Sequence, residues 1–245
     1  MTKFSLKKLV SAVAISLSLA LTLPAMLPVA NNIVTVEAAK PKLSKKQATL
    51  LTGQTLKLKV TNKGKKSVKW STSKSKVAKV KNGRITAVGK GKAVITAKVG
   101  NKKLKCKITV KTNQFKGESY KPSELESGYF YHIPTKVYYK NGKLYCKADY
   151  INKGTYSKII KLTDKKKRNQ LKMTLTARTF TTLTSYRDTV LAKGTIKKGL
   201  PTNISYNSKK SFTVVFSGKQ IKKKGFDLSS ADDMMLDFGS YYYWY

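Results

Sequence analysis

Residues 68–80 read VKWSTSKSKVAKV, residues 83–99 read GRITAVGKGKAVITAKV, and residues 104–110 read LKCKITV. Apolar and polar residues alternate through all three stretches. Val68 and Trp70 share one face. Ala93, Ile95, Ala97 and Val99 share another, and the apolar side chains from Leu104 to Val110 continue the pattern. A period of two is the signature of a strand with one buried face. Gly53, Asn62-Lys63-Gly64, Asn82-Gly83, Gly89, Gly91 and Gly100-Asn101 punctuate the runs. Short alternating strands with regular turn signals imply an all-β sandwich or barrel. Leu56, Leu58 and Val60 extend it toward the amino end, with Lys57 and Lys59 on the outer side.

Further details carry a resemblance. The Trp-Ser-x-Ser turn, the Val-Ala-x-Val run, a glycine before the next strand and the Gly-x-Gly-x-Ala-x-Ile-x-Ala stretch are all present. Residues 42–111 therefore resemble a bacterial immunoglobulin-like domain of group 2, the type found in intimin- and invasin-like surface proteins. Lysine replaces the usual acidic and neutral surface positions. The resemblance implies a module that spaces, stiffens or displays its neighbour, without enzymatic chemistry. Trp70 is expected as a large core filler. Gly89 and Gly91 fit a tight connection rather than a phosphate loop, because no G-x-x-x-x-G-K-[ST] pattern is present.

A boundary is expected where the strand ending at Val110 gives way to Thr112-Asn113-Gln114, with residues 112–120 as linker and 121–245 as a second domain. The Asn141-Gly142 pair between alternating runs is a strong hairpin signal. Further strands are expected at 159–162, 171–177, 189–195 and 211–216, and a capped helical turn at 229–233. Residues 143–154 (KLYCKADYINKG), 192–200 (AKGTIKKGL) and 211–230 (SFTVVFSGKQIKKKGFDLSS) are similar in order to SLAP-type domains of bacterial surface and S-layer-associated proteins. That similarity implies another non-catalytic immunoglobulin-like sandwich. The expected fold class is all-β, two tandem immunoglobulin-like β-sandwiches.

The amino end carries a different signal. Lys3, Lys7 and Lys8 precede an apolar run, and Val36-Glu37-Ala38 leads to a cut expected between Ala38 and Ala39. This order describes a secretory signal peptide over residues 1–38. The run crosses Pro24 before it reaches the roughly 20 apolar residues that a membrane span needs. The expectation is a secreted or wall-associated protein with no transmembrane segment in the mature chain. About 200 residues remain, enough for one or two domains with real cores.

Charge narrows the partner. The chain has 51 Lys plus Arg against 11 Asp plus Glu, a net of +40. Residues 40–112 hold 23 basic residues and no acid. Such a chain repels itself unless anions lie nearby. Nucleic acid is the common partner of basic proteins, but export argues against it and points to teichoic acids, acidic polysaccharides or lipid head groups. The candidate polyanion contacts are Lys57, Lys59, Lys105 and Lys107, with the basic turn Lys165-Lys166-Lys167-Arg168. The bland alternative is a solvated surface. The terminal run suggests a second class of function, carbohydrate or peptidoglycan binding. Tyr241, Tyr243, Trp244 and Tyr245 can stack on sugar rings, although alternation would bury half of such a strand. A third class is an accessory protein that modulates an enzyme in trans.

Catalysis finds little support. His132 is the one histidine and lies in the aromatic run 129–134. No nucleophile–base motif surrounds it. No His or Cys pair has metal-ligand spacing, and Asp227, Asp232, Asp233 and Asp237 lack the spacing of a calcium loop. No cofactor and no metal are expected. Cys106 and Cys146 fall on the apolar faces of strands in different domains, so no disulfide is expected between them.

Overall fold

The computed structural model describes residues 39–154, 172–195 and 204–238. The chain divides into two units, Met1–Glu37 and Ala38–Tyr245. All described residues belong to the second unit, and the expected signal peptide lies outside them. The described fold is all-β, apart from three single 3-10 turns, and is built as two sandwiches in tandem.

The first sandwich contains β1 (Lys42–Leu43), β2 (Gln47–Leu51), β3 (Thr55–Lys57), β4 (Val60–Thr61), β5 (Val68–Thr72), β6 (Ala78–Lys81), β7 (Arg84–Ala87), β8 (Gly91–Val99) and β9 (Lys102–Lys111). One sheet has the order β2-β9-β8-β5 and the other β3-β7-β6. Taking β3 as B, the sheets hold C-F-G and B-E-D, the immunoglobulin partition. The amino-terminal segment serves both sides. β1 pairs antiparallel with β4, and β2 pairs parallel with β9.

The alternation of residues 83–110 places the core. Ile85, Ala87, Ala93, Ile95, Cys106, Ile108 and Val110 form one buried cluster with Leu50, Leu58 and Ala78. Burying each larger aliphatic side chain contributes about 1.5–3 kcal/mol. Trp70 departs from the expectation. It is half-buried, packed against the rim of this core rather than inside it. The reason is position, since β5 is the outer strand of its sheet and its inward face is open along one side. The indole lies over the β6–β7 turn. A Cβ on Gly83 would stand 3.0 Å from the Trp70 ring and 2.6 Å from the Leu58 carbonyl. Gly83 also has φ +75, so this turn accepts little else.

The second sandwich contains β10 (Gln114–Lys116), β11 (Phe130–Lys140), β12 (Lys143–Asn152), β13 (Lys172–Phe180), β14 (Tyr186–Thr195), β15 (Ser208–Phe216) and β16 (Asp233–Asp237). Its sheets run β10-β11-β12-β15 and β14-β13-β16. Asn141 and Gly142 have φ 50 and 73 and close the β11–β12 hairpin, the left-handed pair that a two-residue turn requires. The expected strands at 171–177, 189–195 and 211–216 appear as β13, β14 and β15. Residues 159–162 lie outside the described residues. The core is richer in rings, with Phe115, Tyr139, Tyr150, Phe212, Phe216 and Phe238 around Leu144, Cys146, Leu175 and Val214. Cys106 and Cys146 thus sit in separate cores, both as free thiols.

Two local expectations change. The turn expected at 229–233 is a 3-10 turn at Leu228–Ser230, capped by Asp227, whose carboxylate accepts the Ser229 N–H. Asp233 opens β16 instead, because Met234 and Leu236 alternate into the core. The segment 112–120 is also more than a connector, since β10 within it pairs with β11.

Asn113, just before β10, locks the junction. Its backbone N–H donates to Thr52 Oγ1 at 3.0 Å, and its Nδ2 donates to the carbonyls of Thr52 and Phe226 at 3.1 and 2.7 Å. Its Oδ1 accepts the Leu228 N–H at 2.8 Å. One buried side chain therefore bonds to both sandwiches. Beside it, the Tyr139 ring fills the space over Gly53, where a Cβ would stand 2.8 Å away.

Candidate polyanion interface

Strand register turns the lysine alternation into a pattern. In the first sandwich Lys69 is directly opposite Lys98, and Lys98 is opposite Lys103. On the other sheet Lys57 is opposite Arg84, and Arg84 is opposite Lys81. In the second sandwich Lys116 is opposite Lys136, and Lys136 is opposite Lys147. Each set is a row of three cations across three strands, pointing away from the core. Directly opposed residues hold their Cβ atoms about 4.5–5.5 Å apart, and like charges there destabilise a sheet. Three sheets nevertheless carry such a row.

The lysines singled out in the sequence are exposed, but they do not form one site. Lys105 and Lys107 follow Lys103 along the outer face of β9, where they oppose Thr96 and Val94. A shallow depression of about 780 Å³ opens on this face, lined by Lys74, Lys92, Lys107, Gln47 and Thr49 among others. Lys57 lies on the opposite sheet, and its Nζ donates to the Asn82 carbonyl at 2.5 Å. Lys59 follows β3, and its backbone N–H donates to Ser44 Oγ at 3.0 Å. Lys57 and Lys105 thus face away from each other, because the two sheets of a sandwich turn their outer faces apart. Lys165, Lys166, Lys167 and Arg168 lie outside the described residues, as do Tyr241, Tyr243, Trp244 and Tyr245.

The structure adds an aromatic feature. Tyr138 and Tyr145 are opposed across β11 and β12, with ring centroids 5.1 Å apart and planes within 7°. The pair stands between the Lys116–Lys136–Lys147 row and the opposed pair Lys140 and Lys143. The Lys136 Nζ lies 5.7 Å from the Tyr138 ring centre. A signal existed for this pair. A two-residue turn at 141–142 places 140 opposite 143 and 138 opposite 145.

The acids are employed elsewhere. Asp149 is buried and accepts from the hydroxyls of Ser119 and Ser211, each at 2.6 Å, with the Lys209 Nζ at 3.6 Å. Asp188 binds Arg178 through two contacts at 2.9 and 3.0 Å. Asp232 accepts the Phe180 N–H at 2.8 Å. These carboxylates have partners within the fold, and the exposed strand acids Asp188, Asp233 and Asp237 all lie on β14 and β16, away from the sheets that carry the cation rows. Among the described residues no group of three His, Cys, Asp or Glu gathers as a metal site.

His132 is packed between Tyr150 and Phe238, at ring distances of 4.7 and 4.1 Å. Burial lowers its pKa to about 4, against a small upward pull from Asp237. Burial likewise raises the Cys106 thiol and pushes that of Cys146 up to about 12. These are the properties of packing groups rather than of a base or a nucleophile.

Residues 37–110 match the family model of the bacterial Ig-like domain (group 2). The matched span coincides with the first sandwich and begins slightly before the 42–111 expected. Domains of this kind are surface and adhesion-type modules, typically extracellular. Among curated proteins none matches the chain.

Proposed function

Proceeding from an immunoglobulin-like surface module, we propose that this protein is exported and holds to anionic polymers of a bacterial cell envelope, without catalysis. The observation that carries the reading is the three rows of directly opposed cations. They concentrate positive charge on the outer faces of both sandwiches, while Asp149, Asp188 and Asp232 are engaged within the fold. The basic, apolar and small-residue order of residues 1–38 supports export. The packing of the one histidine between aromatic rings supports a non-catalytic role.

The test is sedimentation of the full-length mature protein with purified walls across a salt series, before and after removal of teichoic acid. Many weak lysine contacts act together through counterion release. At about 1 M salt the Debye length is only about 3 Å, so retention is expected to vanish there and to drop with the teichoic acid. Sequencing of the exported protein's amino end is expected to start near Ala39. Retention of Met1 would reverse the export reading.

The stacked Tyr138–Tyr145 pair favours a second reading, recognition of neutral sugar in the envelope polysaccharide. Stacking on pyranose rings survives salt. Retention that persists at about 1 M salt and falls in Tyr138→Ala/Tyr145→Ala would replace the charge mechanism with this one.

A further inference from the structure

A cleft of about 750 Å³ lies between the two sandwiches. Lys76, Lys79, Lys81 and Arg84 of the first sandwich line it, and Asn141 and Gly142, the hairpin tip of the second, close it. None of its lining residues is acidic. Arg84 and Lys81 are opposed across β6 and β7, and Lys79 lies two residues along the same outward face. The hairpin tip is flanked by its own opposed pair, Lys140 and Lys143. The first sandwich therefore supplies the cations that line this concave place, and the second supplies a wall, with Lys140 and Lys143 beside its tip and outside the lining.

The hairpin is held there. Tyr139, two residues before the tip, is buried with its ring over Gly53, and its hydroxyl donates to the Lys223 carbonyl at 3.0 Å. Gly53 has φ +91 and belongs to the turn whose neighbour Thr52 is bonded to Asn113. The wall contributed by the second sandwich is thus anchored to the first. A site organised before binding keeps more of its interaction energy as affinity.

We propose that this cleft is a polyanion-binding site shared by the two sandwiches, and that it takes an extended envelope glycopolymer with closely spaced anionic groups. The inference rests on the polyanion reading above and locates it. A single small anion would neutralise one cation of the cleft and leave its neighbours facing each other. A polymer with repeated phosphodiesters or carboxylates meets several at once. The Arg84 guanidinium offers either group a two-pronged contact, whereas the lysines act as point charges.

The experiment is equilibrium binding of the full-length mature protein to poly(glycerol phosphate) and, separately, to polygalacturonate at about 0.1 M salt. Lys79→Gln/Lys81→Gln/Arg84→Gln removes cleft charge from the first sandwich. Lys140→Gln/Lys143→Gln removes the two charges that flank the hairpin tip. Lys98→Gln/Lys103→Gln/Lys105→Gln removes three charges from the face of the opposite sheet. Thermal melting of each variant checks that it folds like the parent. The cleft triple is expected to weaken binding about tenfold or more and the hairpin pair about fivefold, with the remote triple under about threefold. The polymer weakened more is the one whose anion the cleft prefers. Equal losses from the two triples would overturn the cleft and leave the polyanion reading standing. Unchanged binding by the hairpin pair would overturn the sharing between sandwiches. A parent that binds neither polymer would overturn both, and about tenfold tighter binding of duplex DNA at equal charge would overturn the ligand class.

Discussion

The two sandwiches use charge in opposite ways. The first has no acid between residues 40 and 112, an aliphatic core, and cations confined to its surface. The second buries Asp149 among Ser119, Ser211 and Lys209, pairs Asp188 with Arg178, and fills its core with aromatic rings. The difference separates two roles for acids in a basic protein. Asp149 and Asp188 act as fasteners within the fold, and the exposed strand acids gather on β14 and β16, leaving the three cation rows unneutralised. The first sandwich needs no such fasteners, because short hairpins and regular aliphatic layers close it. Its unbalanced charge stays on its surface.

The largest expected effect tests the fastener role. Asp149→Ala leaves two hydroxyls and the Lys209 ammonium without their shared acceptor. Each hydroxyl-to-carboxylate bond lost is worth about 1.5–3 kcal/mol, so the two together cost about 3–5 kcal/mol. Calorimetry of the full chain is expected to show a second-sandwich transition at lower temperature, with the first unchanged. A shift of both transitions together would mean that the two cores unfold as one.

Acid sharpens the same contrast. His132 titrates at about 4 in the folded protein, against 6.5 in the unfolded chain. Between these values the unfolded chain binds the extra proton, so stability present above about pH 6.5 is lost as pH falls toward 4. The full difference corresponds to about 3 kcal/mol, all of it in the second sandwich. Denaturant melts at a series of pH values measure it, and His132→Phe is expected to remove this step. A first sandwich that loses as much over the same range would assign the effect to something other than His132.

Asn113→Ala probes the joint between the regions. It removes the side-chain bonds to the Thr52 carbonyl, the Phe226 carbonyl and the Leu228 N–H. The buried groups left behind cost about 2–3 kcal/mol together. Hydrogen exchange is expected to accelerate at residues 52–54 and 225–228 while both sheet interiors stay protected. Unchanged exchange at those segments would show that Tyr139 over Gly53 holds the junction by itself.

Trp70→Ala is the smallest of the four. A fully buried aromatic costs about 3–5 kcal/mol when truncated, but Trp70 is only partly buried at the outer strand. About 2 kcal/mol is expected, confined to the first sandwich and read by calorimetry. A loss equal to that of Ile95→Ala would place Trp70 inside the core after all.

The reading of residues 83–110 carried the first sandwich because its alternating apolar positions run unbroken into the core. Ala93, Ile95, Ala97 and Val99 are all buried, as their spacing requires. Residue 70 misled because a tryptophan on an alternating strand looks the same whether the strand is central or at an edge. The candidate lysines were individually legible, but their grouping was not. Charge alone groups Lys57 with Lys105, yet they lie on opposite sheets. Tyr138 and Tyr145 were within reach of the turn rule, yet their stacking depends on both rotamers agreeing across the ladder.

What the sequence determined by itself is whatever a short stretch of chain enforces. Alternation follows from the pleat, so it names the buried and the outward residues of each strand. The pairs Asn82-Gly83 and Asn141-Gly142 accept the left-handed turn, so they bring Lys81 opposite Arg84 and Lys140 opposite Lys143. Tertiary structure alone decided the lateral neighbours that no turn connects. Lys57 joins the Lys81–Arg84 row because β3 closes against β7 across the intervening strands, and Lys116 joins Lys136 because β10 leaves the junction to pair with β11. Such pairings are chosen by which cores fit together over long separations, a property of the whole packed chain rather than of any segment. The cleft between the sandwiches has the same origin. Its cations come from the first sandwich and its facing wall from the distant hairpin at Asn141-Gly142, and the Asn113 bonds and the Tyr139–Gly53 contact bring the two to one place.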